Sequence, residues 1–378
     1  MHCLIAGAGA VTSVGSGVDN FFEALCSGRS GLSELRGFDS SRYRAQHAYE
    51  IDDRHGDDVP YRSTEWLLRA IEEAVRQADI GGDLSRVPVL VGTGLRELRS
   101  AELAWRGEGE FDVARLHFGT ALRERFGAVK THTFANACSA SLYALALGYD
   151  YLAAGTADTV VVAGVDTLTE SMYGLLDRVH MEPPLRVQPF DRSRRGVLMG
   201  DGAAAVVLRR EDAEHAAAAL GRLRSVSVNC DAHHVTAPDP AGIADAIRDA
   251  HLEAGVQPSD LDLVLLHGTG TLLNDEAEAE AVSAVLGADV KRPLMTAIKS
   301  MTGHTSGGSG LLSLIVTLRS MNSGRVPPVL GLRDPVEGAA EFRFVLDQEE
   351  RDSDLRFAQV DAFGFGGVNS VAILERCS

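Results

Sequence analysis

A thiol at a strand-to-helix turn is the first feature of this sequence that could do covalent chemistry. Asn136-Ala137-Cys138-Ser139-Ala140-Ser141 follows a β-rich run, Val129 to Phe134, and opens an Ala/Leu-rich stretch of helical character. Such an elbow presents its side chain at the apex of a turn. The positive end of the following helix is expected to lower the thiol pKa from its usual value of about 8.5 and to raise the thiolate fraction. A buried structural cysteine would give the same hexapeptide, so the hexapeptide alone leaves both readings open. Cys3, Cys26, Cys230 and Cys377 lack the elbow and read as inert.

Two histidines stand at comparable junctions. In Leu265-Leu266-His267-Gly268-Thr269-Gly270-Thr271 an apolar strand ends on His267, and a loop of small hydroxyl residues leads to an acidic helix starting near Asp275. In Lys299-Ser300-Met301-Thr302-Gly303-His304 a lysine precedes the second histidine by five residues, and a Gly-rich segment follows. An imidazole in such a place can act as acid, base or hydrogen-bond donor near neutral pH, or be structural. Near the C-terminus, Phe363-Gly364-Phe365-Gly366-Gly367 offers backbone amides suited to an oxyanion hole, and it fits a tight hairpin with two core aromatics equally well. One Cys and two His fit one reaction logic: a thiolate takes an acyl group from a thioester, and two imidazoles stabilise charge developing on a second one. That logic needs neither a metal nor a redox cofactor. Consistently, the cysteines have no metal-site spacing, the glycine-rich loops lack a Walker Lys-Ser/Thr, and Gly7-Ala8-Gly9-Ala10 lacks the third glycine of a dinucleotide fingerprint.

These residues must be positioned by an α/β framework, because short β-rich runs alternate with helical ones throughout. Strands are expected at Leu4 to Ala6, Val87 to Gly92, Thr159 to Gly164, Asp262 to Leu266 and Phe357 to Ala362. Helices are expected at Val18 to Ser27, Thr64 to Ala78, Ala140 to Ala154 and Gly242 to Ala254. Two halves echo each other. Ala205-Val206-Val207-Leu208-Arg209-Arg210 returns as Val371-Ala372-Ile373-Leu374-Glu375-Arg376. The same shift, 166 positions, carries Cys138 onto His304. Residues 1–215 and 216–378 are therefore expected to be two α/β halves, the first carrying the cysteine and the second both histidines, with the site where they meet.

The bulk numbers bound the rest. With 45% hydrophobic and 24% charged residues the composition is that of a soluble globular protein. A net charge of −17 argues against broad nucleic-acid binding. The longest apolar stretches, such as Val160 to Val165 and Leu311 to Leu318, are too short to cross a bilayer. Met1 to Gly7 has no basic region before its apolar run and reads as a first strand rather than a signal peptide, so a cytoplasmic protein is expected.

Taken together, the four motifs resemble the β-ketoacyl-(acyl carrier protein) synthase family of the thiolase superfamily. The resemblance runs nearly end to end, from Ala8-Gly9-Ala10-Val11-Thr12 through Phe38-Asp39 and Pro189-Phe190-Asp191 to Gly364-Phe365-Gly366-Gly367. It implies a five-layered αβαβα fold, a dimer, and decarboxylative Claisen condensation of a Cys-bound acyl chain with a malonyl-type carrier thioester. The setting implied is type II polyketide or fatty-acid-like biosynthesis. By the same resemblance Cys138 is the acylated nucleophile, His267 and His304 polarise the malonyl carbonyl, and Lys299 organises the site. The amides of Cys138 and Phe365 form the oxyanion hole, and Phe365 gates the acyl pocket. Thr269, Thr271 and Gly366 meet the carrier's phosphopantetheine arm, which brings the substrates, so no resident cofactor is implied. The partners implied are an acyl carrier protein and a second subunit, either a copy or a chain-length-factor-like relative. Carrier proteins are acidic, so contact with this acidic chain must be local; Arg194 with Arg195, and Arg62 with Arg69 on one helix, are the candidates.

Three departures from the family pattern stand out. The segment between Gly94 and Val129 is short, and Leu95 to Phe126 is densely charged. Ser313 stands where elongating synthases place a glutamate that contacts the lysine. Arg195 stands where an acidic residue is usual. Two alternatives accompany the condensing reading: a non-decarboxylating acyltransferase on the same fold, and a non-catalytic partner subunit like a chain-length factor.

Overall fold

The computed structural model describes residues 3–54, 56, 58–211 and 218–377. Strands β1 (Cys3–Thr12), β2 (Val89–Gly92), β3 (Thr131–Phe134), β4 (Thr159–Asp166) and β5 (Gly202–Arg210) come first in the chain. After them run β6 (Gly221–Cys230), β7 (Leu263–Leu265), β8 (Leu294–Thr296), β9 (Arg343–Phe344), β10 (Phe357–Gly364) and β11 (Val368–Glu375). They form one continuous sheet in the order β9-β8-β7-β10-β11-β6-β1-β5-β4-β2-β3, with the short Gly15–Ser16 strand paired to the end of β1.

Within that sheet β1-β5-β4-β2-β3 and β6-β11-β10-β7-β8 have the same sequence of pairings, two antiparallel and then two parallel. The two sets join only where Cys3–Ile5 pairs with Gly221–Leu223. The expected boundary between His215 and Ala216 lies outside the described residues.

Helices make the other layers. They are α1 (Val18–Cys26), α2 (Arg62–Gln77), α3 (Leu98–Arg106), α4 (Gly119–Phe126), α5 (Ala140–Ala153), α6 (Glu170–Val179), α7 (Pro240–Ala254), α8 (Leu272–Leu286), α9 (Lys299–Thr302) and α10 (Ser309–Ser323). α2 covers one outer face, against β1, β4 and β5, while α7 covers the other, against β6 and β11, with α8 packed on α7. α5 and α10 pack on each other between the two sets of strands. The resulting five layers are the αβαβα arrangement of a thiolase-like fold.

Burial explains why these sequences fold this way. α5 and α10 have apolar residues nearly all round, as a helix with sheets on both sides requires. Leu142, Leu145, Leu311 and Ile315 join Leu208, Leu263 and Val360 in the central core. α2 is instead amphipathic and turns Trp66, Leu67, Ala70, Ile71 and Ala74 inward. The glycines of Gly7-Ala8-Gly9 serve this packing: a Cβ at Gly7 or Gly9 would lie 2.2 or 2.0 Å from a carbonyl oxygen of α2.

The charged segment after Gly94 forms α3 and α4, and part of its charge is internal. Arg99 is buried among Asp58, Glu102 and Glu170, and Glu97 accepts hydrogen bonds from Ser63, Thr64 and Ser100. Among the described residues no helix is long and apolar enough to cross a membrane.

Candidate active site

The elbow is a real turn held by both halves. β3 ends at Phe134, Ala137 takes a left-handed φ of 55°, and a 3₁₀ turn over Ala137–Ser139 enters α5. A residue bearing a Cβ adopts that conformation at a cost of order 1–3 kcal/mol, so the surroundings must enforce it. They do: Ser139 Oγ donates to the carbonyls of Ala362 (2.9 Å) and Val368 (2.7 Å), on the two adjacent C-terminal strands.

The second half repeats the device. Gly303 has φ 66°, His304 follows, and a 3₁₀ turn over Ser306–Gly308 enters α10. The His304 amide donates to the Leu198 carbonyl at 2.9 Å, and the His304 carbonyl accepts from Gly200 N at 3.0 Å. So each turn is fastened to the opposite half.

Cys138 and His304 consequently meet, with Sγ 2.9 Å from Nε2. The backbone amides of Cys138 and Phe365 favour the charged form of the sulfur. His267 lies edge-on to His304, ring centroids 5.4 Å apart at 84°. Lys299 Nζ donates to the His267 carbonyl at 2.5 Å and faces its Nδ1 at 3.3 Å. An ammonium can only donate, so Nδ1 accepts and the imidazole proton sits on Nε2. His267 thereby becomes a fixed N–H donor on the wall of the cavity. His304 is not locked in this way, since its Nδ1 has no hydrogen-bond partner among the described residues.

Burial sets the charge states. Both imidazoles are held well below the ordinary histidine range, by burial first and then by the Lys299 charge, so both are neutral. Burial likewise pushes the Cys138 thiol up to about 11, against the opposing pull of Lys299 and the two amides. This corrects the expectation of a thiol activated by the helix end alone: desolvation outweighs the dipole. Activation has to come from the base at 2.9 Å. The donor atoms of Cys138, His267 and His304 lie within 4.8 Å of one another. The Lys299 ammonium beside them makes this a thiol–imidazole site rather than a seat for a second cation.

A cavity of about 480 Å³ opens at Cys138. Met172, Leu176 and Val179 of α6, with Met199, give it an apolar wall, and Thr269, Thr271, Val235, Arg195 and Gly366 line another part. The Thr269 and Thr271 hydroxyls are 2.9 Å apart, and Thr271 also caps α8. Phe365 and Gly366 sit in the loop between β10 and β11, tied to Val235 by the Gly366 amide (2.8 Å). Phe365 is 47% exposed and lines the cavity.

Two of the arginines expected to face a carrier do not. Arg194 is buried, with Nε 3.5 Å from Asp275 and Nη2 3.0 Å from Glu276, and it holds the start of α8. Arg62 is buried too, paired with Asp58 and Asp53 and stacked over Trp66. Both guanidiniums already satisfy internal carboxylates, which a surface contact could not replace. Arg195 is half exposed on the cavity rim, 3.2 Å from Glu182. Arg69 is exposed and donates to Ser16 Oγ, on the far side of α2 from its core face.

Sequence reasoning passed over three buried carboxylates. Asp166 accepts from Thr93 Oγ1 and the amides of Gly94, Leu95 and Gly307, joining the loop after β2 to the turn after His304. Glu278 accepts from the amides of His267 and Gly268 and so fixes the backbone of the first histidine. Asp361 lies one residue before Ala362, whose carbonyl holds Ser139. A polar residue inside an apolar strand was the available signal for Asp166 and Asp361; for Glu278 it was the spacing of one helical turn from Asn274.

The family described as "Beta-ketoacyl synthase, N-terminal domain" matches residues 128–214, and "Beta-ketoacyl synthase, C-terminal domain" matches residues 220–333. A Streptomyces halstedii sequence named as a polyketide β-ketoacyl synthase is 30% identical over 418 residues, covering 98% of this chain and 97% of its own length. The chain belongs to the β-ketoacyl synthase family. The 3-oxoacyl-[acyl-carrier-protein] synthase 2 of Coxiella burnetii is 27% identical over 410 residues, covering 99% of this chain and 98% of that one. The structure titled "The ishigamide ketosynthase/chain length factor" matches this β-ketoacyl synthase with a TM-score of 0.90 at 27% identity, covering 100% of this chain and 99% of that one.

Proposed function

We propose that this chain performs decarboxylative Claisen condensation between an acyl group carried on Cys138 and a malonyl-type thioester on an acyl carrier protein, in type II polyketide or fatty-acid-like biosynthesis. What supports this most is the convergence of one thiol, two neutral imidazoles and two backbone amides on a single cavity. In the first half-reaction Cys138 attacks the acyl thioester while His304 Nε2 takes the thiol proton. The amides of Cys138 and Phe365 hold the tetrahedral oxyanion, and the carrier thiol leaves with a proton returned from His304. In the second, the malonyl carboxylate departs as carbon dioxide and its electron pair becomes an enolate. The enolate oxygen faces the Nε2–H donors of His267 and His304; its carbon then attacks the acyl carbonyl on Cys138, the C–S bond breaks to leave the lengthened chain on the carrier, and the released Cys138 thiolate takes up a proton from solvent. The unlocked His304 ring can serve as acceptor first and donor second, whereas His267, locked by Lys299, is a donor throughout.

Thr269, Thr271 and Gly366 are assigned to the pantetheine arm, Phe365 to gating, and Arg195, with Arg69 more remotely, to the carrier. A dimer, with a second copy or with a related subunit, is supported by the exposure of Leu175, Val179 and Met181 on the apolar side of the cavity. The 1–215 and 216–378 halves remain our division of the chain. The deciding experiment incubates the protein with acyl-carrier and malonyl-carrier, following intact mass and carbon dioxide release. An acyl adduct on Cys138 together with decarboxylation supports condensation. An adduct without decarboxylation of any malonyl-type carrier replaces it with the acyltransferase reading, and no adduct at all with the non-catalytic one.

A further inference from the structure

Four hydroxyls line the cavity at Cys138, those of Thr236, Thr269, Thr271 and Ser306. Three of them are engaged. Thr269 and Thr271 are hydrogen-bonded to each other, Thr271 also caps α8, and Thr236 Oγ1 lies 3.5 Å from His234 Nδ1. Ser306 differs. It is 5% exposed, and among the described residues its hydroxyl takes no hydrogen-bond partner. An alanine there would avoid the cost of a buried, unpaired hydroxyl, so the group that pairs with Ser306 has to enter the cavity with the substrate.

The surroundings are built to hold that hydroxyl in place. Ser306 has a φ of 44°, a left-handed conformation that residues with a Cβ rarely adopt and that neighbours must enforce. The amide of the next residue, Gly307, donates to the buried Asp166 at 2.6 Å, and Asp166 also takes the amides of Gly94 and Leu95. The Ser306 turn is thereby clamped to the loop after β2. Gly94 of that loop lines the cavity too, and a Cβ on it would collide with Ser306 Oγ. Gly94 has no positive φ, so room for the hydroxyl, rather than backbone conformation, calls for glycine there.

The position of the hydroxyl says which part of a substrate it meets. The turn carrying Ser306 packs on the turn carrying Cys138, and His304, two residues before Ser306, touches Cys138 Sγ at 2.9 Å. Ser306 therefore adjoins the first carbons of an acyl group on Cys138. Further out, Met172, Leu176 and Val179 line the cavity from one face of α6, and none of them can donate a hydrogen bond. An oxygen close to the thioester is matched, and one further along the chain is not. We propose that the Ser306 hydroxyl donates to an oxygen on the β-carbon of the acyl group carried by Cys138. Ser306 is then a specificity-determining residue, and the preferred acyl groups are 3-oxo- or 3-hydroxyacyl chains with a hydrocarbon tail. This inference rests on the reading of Cys138 as the acylated residue.

Self-acylation tests this without a carrier protein and without condensation. Full-length protein receives the N-acetylcysteamine thioester of octanoate, 3-oxooctanoate or 3-hydroxyoctanoate. In each case the Cys138 sulfur displaces the N-acetylcysteamine thiol, which leaves with the proton that Cys138 gave up, and intact mass follows the adduct. Each oxygenated rate constant is divided by the octanoyl one, and wild type is compared with Ser306→Ala, so the intrinsic reactivities of the thioesters cancel. In Ser306→Ala the ratio should fall by about 3–10-fold, the worth of one hydrogen bond. A fall confined to one oxygenated thioester supports the proposal and identifies the oxygen that Ser306 meets. Ratios within about twofold of wild type for both of them overturn it. Should Ser306→Ala not fold, Ser306→Gly, unstrained at a φ of 44°, decides by the same ratios. Adducts with unchanged ratios remove this inference alone. No adduct on Cys138 from any of the three thioesters removes the acyl-Cys138 reading together with it.

Discussion

The Cys138 turn and the His304 turn have the same backbone and opposite surroundings. Each has a left-handed residue, a functional side chain, a 3₁₀ turn and then a central helix. The first is backed by neutral groups, Ser139 Oγ donating to the carbonyls of Ala362 and Val368, while Asp166 ties the loop after β2 to Gly307 of the second turn. The second adjoins a charged nest of Lys299, Glu278, Asp275 and Asp361. One local design can therefore present a nucleophile or an imidazole. What differs is the electrostatics, which leave the thiol protonated until a base removes its proton and keep a neighbouring imidazole in one tautomer.

The largest effect should come from removing the nucleophile. Cys138→Ala should take no acyl mass from an acyl-carrier, while alanine at Cys3, Cys26, Cys230 or Cys377 should leave acylation intact; an adduct persisting on Cys138→Ala breaks the comparison at its root. The two histidines should then separate. His267→Ala should still self-acylate but lose about 10²–10³-fold in malonyl-carrier decarboxylation, as for one lost donor. His304→Ala should slow both steps, the acylation by about 10²–10⁴-fold, because the thiol then lacks its base. Equal behaviour of the two variants in single-turnover acylation would contradict the locked and unlocked roles.

Arg194 and Arg195 are neighbours in sequence with unlike fates. Arg194→Ala strands Asp275 in the interior and should cost about 3–5 kcal/mol, read as a lowered unfolding midpoint. Arg195→Glu should leave the melting curve near that of wild type and raise the carrier KM only severalfold, more at low salt than at high.

Asp166 gives the most specific effect. Burial raises its carboxyl to about 6 from the 3.8 of an unperturbed aspartate, the hydrogen bonds opposing. The folded state thus holds this proton more tightly than the unfolded one, so the stability that it contributes is present in full below pH 3.8 and is lost as pH rises through 6. Urea unfolding of wild type and Asp166→Asn across that window should show the wild-type advantage shrinking as pH rises. A difference that grows with pH would mean that the four donors outweigh the burial.

Much of this protein was fixed along the chain. The alternating apolar runs gave some elements close to their observed limits: the helix expected at Ala140 to Ala154 spans Ala140–Ala153, and the strand expected at Phe357 to Ala362 spans Phe357–Gly364, whereas the strand expected at Leu4 to Ala6 runs over Cys3–Thr12. The Cys138, His267, Lys299, His304 and Phe365 motifs were legible because elbows and glycine-rich loops are local patterns of backbone permission and side-chain type. Burial and partnership were not legible, because they depend on what the other half brings. Arg194 and Arg195 read alike, yet one faces Asp275 in the interior and the other faces the cavity rim. The helix-end argument for Cys138 was sound locally and was overruled by desolvation, a property of the closed cavity. Sequence determines which groups can react; their protonation follows from the low dielectric and the neighbours that only tertiary packing assembles.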